Sequence, residues 1–294
     1  MTKRIALLGH PVAHSISPAF QQAALDACAI DARYEAWDTA PEDLRIAIER
    51  LRSGDLLGAN ITVPHKVEAM RFVDRPDALA ERVGAINTIV HRNGLLEATN
   101  TDVTGILRAL ESAAVEVRGA EVLLIGAGGA ARAVVVAMRH AGAARVVVAN
   151  RTPERAAALA SLGGDELDLR YAPLDAADAT FRAAASRARI IVQSTSLGMR
   201  HGPDERANPV PAELMHRDQV AFDLVYVPEA TPFLEAAALA GARPVGGLAM
   251  LVHQGAEAFR LWTGAPPPVD VMFEAARAAL AARSTAVGGG PEDA

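Results

Sequence analysis

A single cysteine, Cys28, stands among the 294 residues. That excludes an intrachain disulfide and any cysteine-based metal centre. Cys28 falls in an apparent helix and is expected to pack there. Aromatic residues are scarce at 4%, whereas Ala, Val and Leu are abundant, a composition that suits helices packed on parallel sheet. No run is long and apolar enough to span a bilayer. The first nine residues carry Lys3 and Arg4 ahead of a short apolar run. They lack the apolar core of a signal peptide and read as a first strand, so a cytoplasmic protein is expected. Excess positive charge is missing too: the net charge is −6, which argues against a general nucleic-acid binder. The eight histidines are scattered. His10, His14 and His65 read as local hydrogen-bonding or packing residues, and no metal site is expected. There is no internal repeat. What remains is 51% apolar and 22% charged, enough to bury the cores of two domains.

The chain alternates strand and helix signals almost throughout. Residues 4–9 read as a strand. Ser17 reads as the cap of a helix starting at Pro18. Residues 33–37 follow as a strand, 41–51 as a helix and 58–63 as a strand. Residues 86–91 and 95–99 flank Asn93-Gly94, a hairpin signal because both residues tolerate positive φ. That places an antiparallel pair at the edge of an otherwise parallel sheet. Asp102 can cap a helix running to about residue 114. A second series of β-rich runs, at 121–125, 145–149, 190–192 and 220–224, has helical stretches between. The pattern predicts an α/β fold in two domains with right-handed crossovers. The small, polar tail at 284–294 is expected to be disordered.

Asn60-Ile61-Thr62-Val63-Pro64-His65-Lys66 is the most telling stretch. As a strand it puts Ile61 and Val63 on one face and Asn60 and Thr62 on the other. Pro64 ends pairing and suits the first turn of a helix that would carry Lys66. Taken alone, the segment is better explained as an edge strand with a wet outer face than as a ligand-site wall.

The run Val122-Leu123-Leu124-Ile125 leads into Gly126-Ala127-Gly128-Gly129-Ala130-Ala131. Strand, glycine turn and helix in that order form a dinucleotide-binding signal. Gly126 permits the tight turn, and Gly128 and Gly129 let backbone N–H groups approach a pyrophosphate at a helix N-terminus. Alanine is tolerated where the third glycine usually sits. An NAD site places an acidic residue after the next strand. Here Asn150-Arg151-Thr152-Pro153-Glu154-Arg155 stands instead. Guanidinium forks suit a 2′-phosphate, so NADP is preferred, although Arg155 alone is equally well a solvated helix charge.

Ahead of that half lie further polar clusters. Ser15-Ile16-Ser17-Pro18 sets two hydroxyls beside a helix start, a plausible carboxylate cradle. Asn87 opens a strand, where a turn residue would be unremarkable. In Asn100-Thr101-Asp102, cap and catalyst explain Asp102 equally well. In order along the chain, the segments 9–18, 58–66, 84–88, 100–102, 126–130, 150–152 and 246–255 resemble the shikimate dehydrogenases, NADP-dependent enzymes that interconvert 3-dehydroshikimate and shikimate. The resemblance implies an N-terminal mixed-sheet α/β substrate domain over 1–101, with helices at about 245–283 packing back on it. It implies a Rossmann-type doubly wound NADP-binding domain over 102–244. Ser15 and Ser17 would hold the substrate carboxylate, and Asn60, Thr62, Asn87 and Gln254 the ring hydroxyls, with Tyr226 near the substrate. Lys66 and Asp102 would be the catalytic pair. NADP would meet Gly126, Ala127, Gly128, Gly129, Ala130, Asn150, Arg151, Thr152, Arg155, Thr195, Val225, Gly247 and Met250.

A carboxylate beside an ammonium raises its pKa, so Asp102 is expected to orient Lys66 rather than to activate it by charge. Two residues depart from the family pattern: Gln193 replaces the usual Asn before the Ser194-Thr195 loop, and Val103 replaces the Gly that commonly follows Asp102. Rival readings are a quinate/shikimate or aminoshikimate dehydrogenase, a non-catalytic regulator of the same fold, and a methylene-tetrahydrofolate dehydrogenase. Retention of Lys66 and Asp102 counts against the regulator, and Ser15, Ser17 and Gln254 count against the last. Small molecules are the expected partners, with neither nucleic acid nor membrane, and a homodimer is left open.

Overall fold

The computed structural model describes residues 2–200 and 202–287. It forms two compact units, one built from the chain up to Thr101 and again from Val252, the other from Asp102 to Leu251.

The first unit contains strands β1 (Lys3–Gly9), β2 (Ala32–Asp38), β3 (Leu56–Ile61), β4 (Arg75–Pro76), β5 (Thr88–Arg92) and β6 (Leu95–Thr99), with helices α1 (Ser17–Ala27), α2 (Leu44–Arg50) and α3 (Ala78–Val83). The sheet order is β2-β1-β3-β5-β6-β4. β1 is parallel to both its neighbours, and β5 is antiparallel to β3 and to β6. Ile5, Ala6, Leu7 and Leu8 are all buried, as a strand covered on both faces requires. Ala6, Leu8, Ala59, Ile61, Ile89 and Leu96 pack with Leu44, Ile48 and Leu51. The β5–β6 hairpin turns at Asn93 and Gly94, with φ of 51° and 80°, as their sequence predicts.

Four sequence expectations are corrected here. β3 is interior, between β1 and β5, so it has no wet outer face, and Asn60 is buried. The strand stops at Ile61, and Val63 is exposed. No α-helix starts at Pro64: residues 62–67 turn irregularly into a short 3₁₀ segment, Glu68–Phe72. The turn closes through the His65 N–H, which donates to the Thr62 carbonyl at 2.9 Å. Ser17 does not cap α1. It is the first helical residue, and its N–H donates to the Ser15 hydroxyl at 3.2 Å.

The second unit contains α4 (Asp102–Ser112), β7 (Glu121–Ile125), α5 (Gly129–His140), β8 (Arg145–Asn150), α6 (Pro153–Ala157), α7 (Ala160–Gly163), β9 (Asp168–Pro173), α8 (Ala179–Arg187), β10 (Ile190–Gln193), β11 (Val220–Asp223), α9 (Pro232–Leu239) and β12 (Arg243–Val245). Its sheet is parallel throughout, in the order β12-β11-β10-β7-β8-β9. The order reverses between β7 and β10, a switch point beyond whose strand ends doubly wound folds bind ligands. Leu123, Ile125, Ile191 and Ala221 pack against Phe181 and Phe233.

Helix α10 (Leu248–Thr263) begins in the second unit and passes into the first at Val252. α11 (Val269–Val287) lies against α1. The segment expected to be disordered from 284 is therefore helical as far as Val287; residues 288–294 of that expectation lie outside the described residues. Cys28 sits at the end of α1, half-buried.

Candidate active site

Two sets of groups emerge, one in each unit. In the first, the backbone around Lys66 is pinned from both sides. The buried His65 ring bonds the Thr39 carbonyl at 2.7 Å, and the Lys66 carbonyl accepts from the Ile86 N–H at 2.8 Å. The expected local role of His65 is what the geometry shows. Gly9, in β1, has its Cα against Thr62: an added Cβ would strike the Thr62 methyl.

Beside this turn lies a buried polar network. The Tyr34 hydroxyl donates to Asn60 Oδ1 at 2.7 Å. Asn60 Nδ2 donates to the Asn87 carbonyl at 3.0 Å and to Thr88 Oγ1 at 3.2 Å. Asn87 Oδ1 accepts from the Thr101 N–H at 2.7 Å and from the Thr88 hydroxyl at 3.0 Å. Asn87 Nδ2 donates to Gln254 Oε1 at 3.1 Å. The structure thus brings Asn60, Asn87 and Gln254 together and adds Thr88 and Thr101, which lay in the motifs without an assigned role, and Tyr34, which no linear motif had singled out. Burial pushes the Tyr34 phenol far above its ordinary pKa, so it remains a donor. Gly58, at φ +149°, is required where it is: a Cβ would run into the Ile89 carbonyl and lie 2.8 Å from the Trp262 indole nitrogen.

Ser15 and Ser17 stand at the start of α1. Their turn is held by Arg283, whose guanidinium donates to the His14 carbonyl and, at 3.0 Å, to the Ser15 carbonyl. Sequence reasoning had no signal for Arg283, which lies on a polar-looking helix end.

In the second unit, Asp102 is buried at the first position of α4. The glycine turn links β7 to α5 as expected. Gly126 takes φ +104°, and a Cβ there would come within 2.8 Å of the Thr195 methyl and 2.9 Å of Ser194 Oγ. Gly128 is the N-cap of the 12-residue helix α5 and has no side chain to offer its N–H groups. A Cβ on Gly128 meets nothing within 4 Å. Open space over uncapped N–H groups at a positive helix end fits a phosphate. Asn150 Nδ2 donates to the Thr152 carbonyl at 2.8 Å and shapes the turn at the end of β8. Arg151, Thr152 and Arg155 are all exposed there.

The unusual Gln193 proves structural. Fully buried, it donates to the Leu197 carbonyl at 3.0 Å and accepts from the Thr195 N–H at 2.5 Å and hydroxyl at 2.7 Å. The longer side chain therefore laces the 193–197 loop, and the Thr195 hydroxyl proton is spent on it. Asp223, at the end of β11, accepts from the Thr231 hydroxyl at 2.6 Å and from the Val225 N–H at 2.9 Å. Burial pushes its carboxyl up to about 7. Gly247 passes so close to the Leu224–Val225 backbone that a Cβ would sit 2.6 Å from the Leu224 oxygen. Tyr226 follows in the same loop, and Met250 is buried in the first turn of α10. Among the described residues, no group of three or more His, Cys, Asp or Glu could hold a metal ion, and no helix is long and apolar enough to cross a membrane.

Family models match in the same order. Residues 7–89 match a shikimate dehydrogenase substrate binding domain, 108–209 a shikimate/quinate 5-dehydrogenase and 247–277 a shikimate 5′-dehydrogenase C-terminal domain. A protein of Moorella thermoacetica named shikimate dehydrogenase (NADP(+)) is 44% identical over 293 residues, covering 99% of this chain and 96% of its own. The crystal structure of shikimate 5-dehydrogenase from Thermus thermophilus, in complex with NADP(H) and shikimate, superimposes with a TM-score of 0.84 at 44% identity, over 95% of this chain and 100% of that one. A shikimate dehydrogenase solved with NADP+ gives 0.87 at 36% identity, over 95% and 96%. The chain belongs to the shikimate dehydrogenase family.

Proposed function

We propose that this protein catalyses the NADP-dependent, reversible reduction of 3-dehydroshikimate to shikimate, a step towards chorismate and the aromatic amino acids, in the cytoplasm. The observation that carries the reading is the buried Asn87–Gln254 carboxamide pair, 3.1 Å apart, on a chain alike from end to end with proteins named for this reaction. A polyhydroxylated ring needs donors and acceptors of fixed orientation, and such a pair offers both.

Ser15 and Ser17 hold the substrate carboxylate. Thr62, Asn87 and Gln254 bind ring hydroxyls, backed by Asn60, and Tyr226 closes on the substrate. The N–H groups at Gly128 and Gly129 receive the pyrophosphate, while Arg151 and Arg155, with Asn150 and Thr152, take the 2′-phosphate. Ala127, Ala130, Thr195, Val225, Gly247 and Met250 line the cofactor by packing. When bound, NADPH supplies the hydride. Lys66 moves the proton at the C3 oxygen, and Asp102 bonds the same oxygen and orients Lys66. General acid–base groups of this kind contribute about 10²–10⁴-fold.

Purified protein mixed with shikimate or quinate, each with NADP+ or NAD+, and followed at 340 nm tests the reading. Shikimate with NADP+ is expected to turn over fastest. Lys66→Ala and Asp102→Ala are each expected to lower kcat about 10²–10⁴-fold. Near-normal turnover in both variants sinks the assigned roles.

A further inference from the structure

The motifs account for Asn87 and Gln254 but not for the way their carboxamides face. Each carboxamide can be flipped, exchanging donor for acceptor, and only one orientation presents the right group to a hydroxyl. Two backbone groups settle the choice here. The Asn87 carbonyl can only accept, so Asn60 turns Nδ2 towards it, at 3.0 Å. Asn60 Oδ1 is then left facing Tyr34, whose hydroxyl donates to it at 2.7 Å. The Thr101 N–H can only donate, so Asn87 turns Oδ1 towards it, at 2.7 Å. Asn87 Nδ2 therefore faces Gln254 Oε1, and the Gln254 carboxamide is oriented in turn. Thr88 ties the two halves, accepting from Asn60 Nδ2 at 3.2 Å and donating to Asn87 Oδ1 at 3.0 Å.

We propose that Tyr34 is a positioning residue for the substrate: by donating to Asn60 Oδ1 it holds Asn60, and through Thr88 also Asn87, in the orientations the two backbone groups select, and so keeps Asn87 and Gln254 in place for the ring hydroxyls. Tyr34 is 6% exposed and its ring lies 6.1 Å from that of Trp262, so the phenol is held at one place. Both Asn60 N–H groups are spent inside the protein, which makes Asn60 the relay. The inference rests on the shikimate reading, which wild-type turnover in the same assay series checks by itself.

The test is Tyr34→Phe, which removes one oxygen and keeps the ring. Losing a neutral hydrogen bond within this network is expected to raise KM for shikimate about five- to tenfold. kcat is expected to change by less than about threefold, and KM for NADP+ to stay the same. A double-mutant cycle with Asn60→Ala separates relay from packing. If Tyr34 acts through Asn60, Tyr34→Phe adds nothing to KM once Asn60 is gone. Additive effects on KM, or an unchanged KM in Tyr34→Phe, overturn the proposal. Should Tyr34→Phe fail to fold, Thr88→Val cuts the same relay from its other end. The same rise in KM for shikimate supports the proposal there, and an unchanged KM overturns it.

Discussion

Asp223→Asn should remove a specific part of the protein's pH dependence. The carboxyl lies at the end of β11, fully out of solvent, with the Thr231 hydroxyl on one oxygen and the Val225 N–H on the other. Both bonds favour the charged form, yet desolvation prevails and lifts it from 3.8 to about 7. The native state thus keeps a proton that the unfolded chain releases above pH 4 or so. A raised carboxyl of this kind contributes stability that is complete below 3.8 and is lost as pH rises through about 7; above that the loss levels off. Integrating the linkage between pH 5 and 9 gives a fall of about 3 kcal/mol from this group alone. An amide does not titrate. Its oxygen can still accept from the Val225 N–H, and the Thr231 hydroxyl can rotate to accept from its nitrogen. Chemical denaturation at several pH values, on wild type and Asp223→Asn together, isolates the effect, because other titrating groups cancel in the difference. The variant is expected to gain on the wild type by about 3 kcal/mol from pH 5 to pH 9. Parallel curves would refute the argument that burial outweighs the two hydrogen bonds.

Other perturbations follow from the same geometry. Arg151→Ala should raise KM for NADP+ about 10- to 100-fold, the worth of a charge-assisted hydrogen bond. It should leave KM for NAD+ unchanged, and steady-state kinetics with both cofactors shows the split. Gly126→Ala forces a Cβ to 2.8 Å from the Thr195 methyl at φ +104°. It should cost about 1–3 kcal/mol in thermal unfolding and raise KM for NADP+. Gln193→Ala abolishes three hydrogen bonds of a fully buried side chain. It should destabilise by about 2–4 kcal/mol by denaturant unfolding, whereas Gln193→Asn, one methylene short of reaching both ends of the loop, should recover only part of that.

The fold was legible wherever local chemistry agreed with tertiary structure. The strand–glycine–helix run at Gly126 and the Asn93-Gly94 turn carry their backbone requirements in the residues themselves. β9 escaped notice because its outward positions hold Asp168 and Arg170 at a sheet edge, so it shows no β-rich run. Pro64 favours a helix start by local rules. There the His65 ring bond to Thr39 and the Ile86 bond to the Lys66 carbonyl hold an irregular turn instead. Ser17 is not the cap expected of it because the chain enters α1 one residue earlier than Pro18 suggests. The relay from Tyr34 to Gln254 joins residues up to 220 positions apart, from 34 to 254, and no periodicity in a one-dimensional chain reports such a meeting. The resemblance gathers Asn60, Asn87 and Gln254 around one ligand, but Tyr34 looks like an ordinary strand residue until the fold brings its hydroxyl to Asn60.

The return of the chain to its first unit has a consequence for biosynthesis. α11 lies on α1, Gln21 Nε2 donates to the Gly255 carbonyl at 2.9 Å, and the Trp262 indole donates to the Ile89 carbonyl at 2.8 Å. Residues 102–251 are contiguous and can complete their sheet while still emerging from a ribosome. The first unit cannot, since the helices that cover α1 and seat Trp262 are translated only after that intervening unit. Its nascent form must wait, with α1 uncovered, until the intervening unit has been made. The Ser15 turn is made well before α11, yet it acquires its Arg283 clasp only once residue 283 has been added.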